Sequence, residues 1–100
     1  MNMKIYIYGT GLIAKRIVYH LDNSIIIKGY IQSHLTMDKF LESIVYKPSI
    51  LQKDSDYDYV VIASSYVSEI MQILRKKMFQ KKKLFVIGLR KKRLQESMID

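Results

Sequence analysis

The chain has 100 residues, 49% of them hydrophobic, with one proline and four glycines, and reads as a single globular domain of ordinary size. It contains no cysteine, which excludes disulfides, thiolate metal sites and a cysteine nucleophile. The formal net charge of +8 is uneven: residues 1–74 carry seven basic and seven acidic side chains, and the remaining residues carry ten and two.

The opening MNMKIYIYG lacks the apolar core and small-residue cleavage site of a secretory signal, and no apolar run approaches the ~18 residues of a membrane span. Both features, with the missing cysteine, fit a cytoplasmic protein. Lys4 to Tyr8 alternate β-branched and aromatic residues and predict a first strand. Gly9, Gly11 and Ala14 follow in the order G-x-G-x-x-A. That spacing has a physical logic. Gly9 permits a tight turn from strand to helix. Gly11 lacks a Cβ, so a phosphate can approach its backbone. Ala14 lets the helix lie close to the strand. Gly9, Thr10 and Gly11 would form the phosphate loop, and the amides of the first helical turn, including Leu12 and Ile13, would face an anion. The bland alternative is a strand-to-helix turn that binds nothing.

The first helix is predicted from Gly11 to Leu21, with Ile13, Ala14, Ile17, Val18 and Leu21 on one face and Asn23 as a left-handed cap. Ser24 to Ile31 predicts a strand buried on both faces, and Gly29 within it predicts a bulge or a close approach. Gln32 to Asp38 reads as a polar loop. Phe40 and Leu41 suit a short helix, Ile44 to Tyr46 a brief strand, and Pro48 the start of a helical turn through Leu51.

Asp54 to Asp58 is an acidic loop. It lacks the glycine and distal glutamate of a calcium loop and reads as solvated. Tyr59 to Ala63 is the clearest buried strand. Ser64 and Ser65 offer N-cap hydroxyls to a helix whose stripe is Val67, Ile70, Met71, Leu74 and Met78. These methionines read as core filler. Leu84 to Ile87 predicts a last strand closed by Gly88, followed by a basic tail with a final helical turn. Strands alternating with helices imply a parallel sheet.

The stretches KIYIYGTGLIAKRIVYHL, GYI, VYKP and DYDYVVIASSYVSEIMQIL resemble the Rossmann-like N-terminal domain of bacterial sugar-nucleotide acyltransferases and related surface-polysaccharide enzymes. The resemblance covers roughly residues 4–88. It implies an α/β, doubly wound domain with about five mostly parallel strands and helices on both faces. Residues 1–88 would be the nucleotide-binding unit and residues 89–100 a basic C-terminal tail. It implies a nucleotide sugar as ligand, NAD(P) as the alternative, and other polysaccharide-biosynthesis proteins as partners. By position, Ser33 would stand near the end of the second strand, where a carboxylate often sits, and Ser64 and Ser65 would line the cleft. Acyl transfer in those enzymes occurs in a separate hexapeptide-repeat domain, which this sequence lacks, so no catalysis is expected from this chain alone.

The chain departs from an NAD site at one place. About 20 residues past the glycines such a site carries Asp or Glu. Here Gln32, Ser33 and His34 stand there, and no acid follows until Asp38. Ser33 and His34 could accommodate an extra phosphate or belong to a plain loop. His34 is the one histidine on the ligand side, while His20 suits the end of the first helix. No nucleophile, base and orienter assemble, Ser64 and Ser65 lack the glycines of a nucleophile elbow, and the tyrosines read as packing residues. The rival readings are an interaction module with an empty ancestral pocket, an NAD(P)-binding oxidoreductase-like domain, and a nucleic-acid-binding protein. Against the last, Arg75 to Lys77 and Lys81 to Lys83 fall at one rim of the predicted sheet and Arg90 to Arg93 at the other. A strand of about four or five residues separates them by roughly 13–17 Å, beyond a Debye length of about 8 Å. The sequence leaves the oligomeric state open.

Overall fold

The computed structural model describes residues 2–78, 83–89 and 94–99, with side chains for 2–78 and Leu84. Lys81, Lys82 and Arg90 to Arg93, named above as basic clusters, lie outside the described residues. The elements run β1 (Met3–Tyr8), α1 (Leu12–His20), β2 (Ile25–Ile31), β3 (Lys39–Phe40), β4 (Ser43–Tyr46), α2 (Ile50–Lys53), β5 (Tyr59–Ile62), α3 (Val67–Lys77), β6 (Lys83–Leu89) and β7 (Leu94–Ile99). They build a seven-stranded sheet in the order β3-β4-β2-β1-β5-β6-β7.

Five of these strands, β4, β2, β1, β5 and β6, are parallel neighbours. β3 and β7 add antiparallel edges. The chain moves outward from β1 through β2 to β4, then returns to the other side of β1 for β5 and β6. This is the doubly wound α/β topology, and it puts the switch point between β1 and β5.

Alternation along β1 sends Ile5 and Ile7 to one face and Tyr6 and Tyr8 to the other, and all four are buried. The Ile5 side packs with Ala14, Tyr30, Val61 and Ala63, against Ile13, Ile17 and Val18 of α1. The Tyr6 side packs with Leu51 of α2, Ile70 and Leu74 of α3, and Tyr57, with Val67 and Met71 completing the helical stripe. Helices therefore cover both faces, which is why β1 and β5 read as nearly continuous apolar runs.

Gly29 proves to be both a close approach and part of a bulge. The β1–β2 register steps from Ile5↔Ile27 to Tyr6↔Gly29, so Lys28 is the extra residue. The step reverses the alternation, turning Tyr30 toward α1 and Ile31 toward the opposite core. A Cβ on Gly29 would lie 2.5 Å from the Tyr46 ring, so glycine lets that ring rest on the strand.

Four expectations are corrected. Phe40 and Leu41 do not start a helix. Phe40 ends β3 with its ring edge-on to Tyr30 at 4.9 Å, and Leu41 and Glu42 take positive φ values of 47° and 67°. Packing of Phe40 thus decides the local structure, and a tight hairpin follows. Asn23 is not a left-handed cap. The turn after α1 is closed instead by the Asp22 carboxylate, which accepts from the Ser24 amide at 2.7 Å. The last parallel strand does not stop at Gly88: β6 runs to Leu89, and Gly88 pairs with Gln95. Residues 94–99 add no helical turn and form β7 on the edge that β6 offers.

Candidate functional site

The parallel strands β2, β1 and β5 end side by side, and their carboxyl ends carry every residue singled out by the glycine pattern. Gly9 leaves β1 with φ +137°, a conformation that side chains rarely adopt. A Cβ there would sit 2.3 Å from the Ala63 carbonyl oxygen. The Gly9 amide donates to the Ile31 carbonyl at 3.0 Å, and the Ala63 amide donates to the Tyr8 carbonyl at 2.9 Å. Gly9 is therefore clamped between the ends of β2 and β5.

Gly11 is different. It is the N-cap of α1, in ordinary extended geometry (φ −108°, ψ −155°), and a Cβ added to it would meet nothing within 4 Å. No side chain caps the helix, and no acidic residue occupies its first turn. The Lys15 amide makes the first helical bond, to the Gly11 carbonyl at 3.1 Å. The amides of Leu12, Ile13 and Ala14 precede it and have no intrahelical acceptor. The Leu12 side chain is exposed, Ile13 packs inward, and Ala14 is wholly buried against the sheet. The positive end of α1 thus opens onto a face that backbone can reach.

Ser33 follows β2 and is exposed, and its hydroxyl shares a short hydrogen bond with the Tyr8 phenol. Burial pushes the Tyr8 phenol up, while the bond to Ser33 pulls it down; the balance is upward, so the phenol stays neutral. Gln32, the first residue after β2, reaches across to the glycine loop. Its Nε2 donates to Thr10 Oγ1 at 2.8 Å and to Thr36 Oγ1 at 3.0 Å, and its Oε1 accepts from the Thr36 amide at 2.9 Å. His34 is exposed in the same loop. On the other side, Ser64 and Ser65 follow Ala63. Neither serves as the N-cap of α3, which is Tyr66. Ser64 instead accepts from the Tyr66 amide at 3.1 Å, forming the turn just before the helix.

The structure therefore brings Gly9, Thr10, Gly11, Leu12 and Ile13 into one loop and helix start, with Ser33 on one flank and Ser64 and Ser65 on the other. Sequence reasoning missed the working partners, Tyr8, Gln32 and Thr36. Gln32 was visible only as an absent acid, because the direction of its amide depends on Thr10 and Thr36.

Away from this end, the acidic loop is not simply solvated. Asp54 accepts from Lys28 Nζ at 2.8 Å and from the Tyr6 phenol, and Asp56 accepts from Lys4 Nζ at 2.9 Å. Asp58 accepts from the Lys4 amide at 2.9 Å. Among the described residues, no group of three His, Asp or Glu side chains is placed to hold a metal ion. No helix among them is long and apolar enough to cross a membrane.

The model of one protein family, described as C2185-like, N-terminal, matches residues 1–85. The chain belongs to the C2185-like N-terminal domain family. Solved structures similar to this C2185-like domain include the UDP-D-quinovosamine 4-dehydrogenase from Vibrio fischeri. The two share 18% identity at a TM-score of 0.62, over 97% of this chain and 94% of that one. The DAP dehydrogenase of C. glutamicum, solved in complex with DAP, shares 12% identity at a TM-score of 0.55, over 87% of this chain. The C2185-like domain spans only 27% of that enzyme's chain. These likenesses show the fold, a Rossmann-like α/β domain. No curated protein matches the sequence.

Proposed function

We propose that this C2185-like domain is a nucleotide-binding module that holds a nucleotide sugar for surface-polysaccharide assembly and carries no catalysis of its own. The observation that carries the reading is Gly11. It is exposed, in a backbone geometry that any residue can adopt, with empty space where its Cβ would be. Glycine is therefore not required there by the fold. A glycine there leaves the backbone open to a ligand, and the uncapped first turn of α1 suits a diphosphate. The position at the switch point of a doubly wound sheet supports the same reading.

In this account Gly9, Thr10 and Gly11 wrap the phosphates, Leu12 and Ile13 contribute amides, and Ser33, Ser64 and Ser65 border the sugar and base. The resemblance to acyltransferase N-terminal domains favours a nucleotide-linked sugar, and partners from the same biosynthetic apparatus would supply the chemistry. The name of the Vibrio fischeri neighbour makes UDP-linked sugars the first ligands to test.

The test is calorimetric titration of the wild type and of Gly11→Val with UDP and UDP-N-acetylglucosamine. The valine side chain fills the approach to the backbone while leaving the fold intact. The expected result is binding by the wild type and a loss of at least about tenfold in the variant, the scale of one charge-assisted hydrogen bond. Equal binding by both proteins overturns the site.

A further inference from the structure

The nicotinamide dinucleotide that the G-x-G-x-x-A pattern raises as an alternative ligand can be tested against the residues at the end of β2. In such sites a carboxylate at this place accepts hydrogen bonds from the ribose hydroxyls. Here Gln32 is the first residue past β2, ahead of Ser33, and its geometry opposes that role. The Thr36 amide needs an acceptor and takes Oε1, which fixes the orientation of the side-chain amide. Nε2 therefore faces the glycine loop, and its two hydrogens go to Thr10 and Thr36. A donor already fully used stands where a ribose needs an acceptor. The backbone of Gln32 is equally fixed, its amide donating to the Tyr46 carbonyl at 3.1 Å.

We infer that this site excludes NAD(H), and that Gln32 is the residue that sets the exclusion by bracing the glycine loop through Thr10 and Thr36. The inference rests on the nucleotide-binding reading above and narrows it. The ligand is one whose diphosphate lies on the glycine loop and whose ribose is not gripped at the end of β2, such as a nucleoside diphosphate sugar. Gln32 is thus a specificity-determining residue that works by occupying a position.

The closing experiment compares UDP and NADH binding by calorimetry in the wild type and in Gln32→Glu. Glutamate preserves the acceptor for the Thr36 amide, can accept from the Thr10 hydroxyl, and returns a carboxylate to the ribose position. The wild type is expected to bind UDP at least about tenfold more tightly than NADH. The variant is expected to shift that ratio about tenfold toward NADH, the worth of one hydrogen bond to a charged group. Wild-type protein binding NADH as tightly as UDP overturns the exclusion. An unchanged ratio in a folded variant overturns the role of Gln32, while UDP binding keeps the nucleotide site itself standing. Failure of both proteins to bind either nucleotide removes the nucleotide site, and this inference with it. The wild-type ratio decides the exclusion even where the variant does not fold.

Discussion

The Lys28 ammonium lies 2.8 Å from the Asp54 carboxylate, and both side chains are largely withdrawn from water, at 24% and 20% exposure. Lys28 is the extra residue of the β2 bulge and Asp54 opens the acidic loop, so one ion pair ties the central sheet to the segment leading into β5. Burial pushes the Asp54 carboxyl up, but hydrogen bonds from Lys28, Tyr6 and the Asp56 amide outweigh it and hold the group at about 2. The bond to Asp54 correspondingly raises Lys28, against the effect of burial.

A pH dependence follows with a definite sign. The Asp54 carboxyl is lower in the folded chain than its ordinary 3.8. Its contribution is complete above that ordinary value and is lost as pH falls toward about 2. At about 1.4 kcal/mol per pH unit the contribution is on the order of 2 kcal/mol. Urea denaturation at pH 6 and near pH 2 is expected to show Asp54→Asn losing less stability on acidification than the wild type, by about that amount. Equal losses in the two proteins contradict a stabilising Lys28–Asp54 pair.

The two glycines of the proposed phosphate loop are predicted to fail in different ways. Gly9→Ala places a methyl 2.3 Å from the Ala63 carbonyl oxygen at a φ of +137°. Overpacking and backbone strain together are expected to cost about 3 kcal/mol or more, a large share of the ~5–15 kcal/mol of a small domain. Thermal melting reads this directly. A Gly9→Ala variant melting with the wild type contradicts the clamp between β2 and β5.

The β3–β4 hairpin carries two non-glycine residues, Leu41 and Glu42, in the left-handed region. Each such residue costs roughly 1–2 kcal/mol, and Asn-Gly is the natural pair for a turn with both φ values positive. The double substitution Leu41→Asn, Glu42→Gly is expected to stabilise the domain by about 1 kcal/mol, a rise of roughly 4–8 °C in Tm. A lowered Tm contradicts the hairpin.

The sequence carried the parallel core and the glycine loop plainly, because period-two alternation, helical stripes and the G-x-G-x-x-A spacing are local signals. The corrected or missed features depend on partners far along the chain. Lys28 and Asp54 meet only through the bulge and α2. Phe40 turns a helix-like stretch into a hairpin because it packs on Tyr30. The residues of β7 have weak strand character of their own and pair because β6 presents an open edge. In the candidate site the loop residues were legible, but the orientation of Gln32 was not, since Thr10 and Thr36 set it.

The central claim is that an anionic nucleotide rests on the first turn of α1. The most direct measurement is the backbone amide spectrum of the isotopically labelled protein during titration with UDP. The account predicts that the largest shifts fall on Gly11, Leu12 and Ile13, with smaller ones at Ser33 and Ser64 and none at the Leu41–Glu42 hairpin. Shifts centred instead on Arg75 to Lys77, or saturation by UDP with Gly11, Leu12 and Ile13 unmoved, would contradict it.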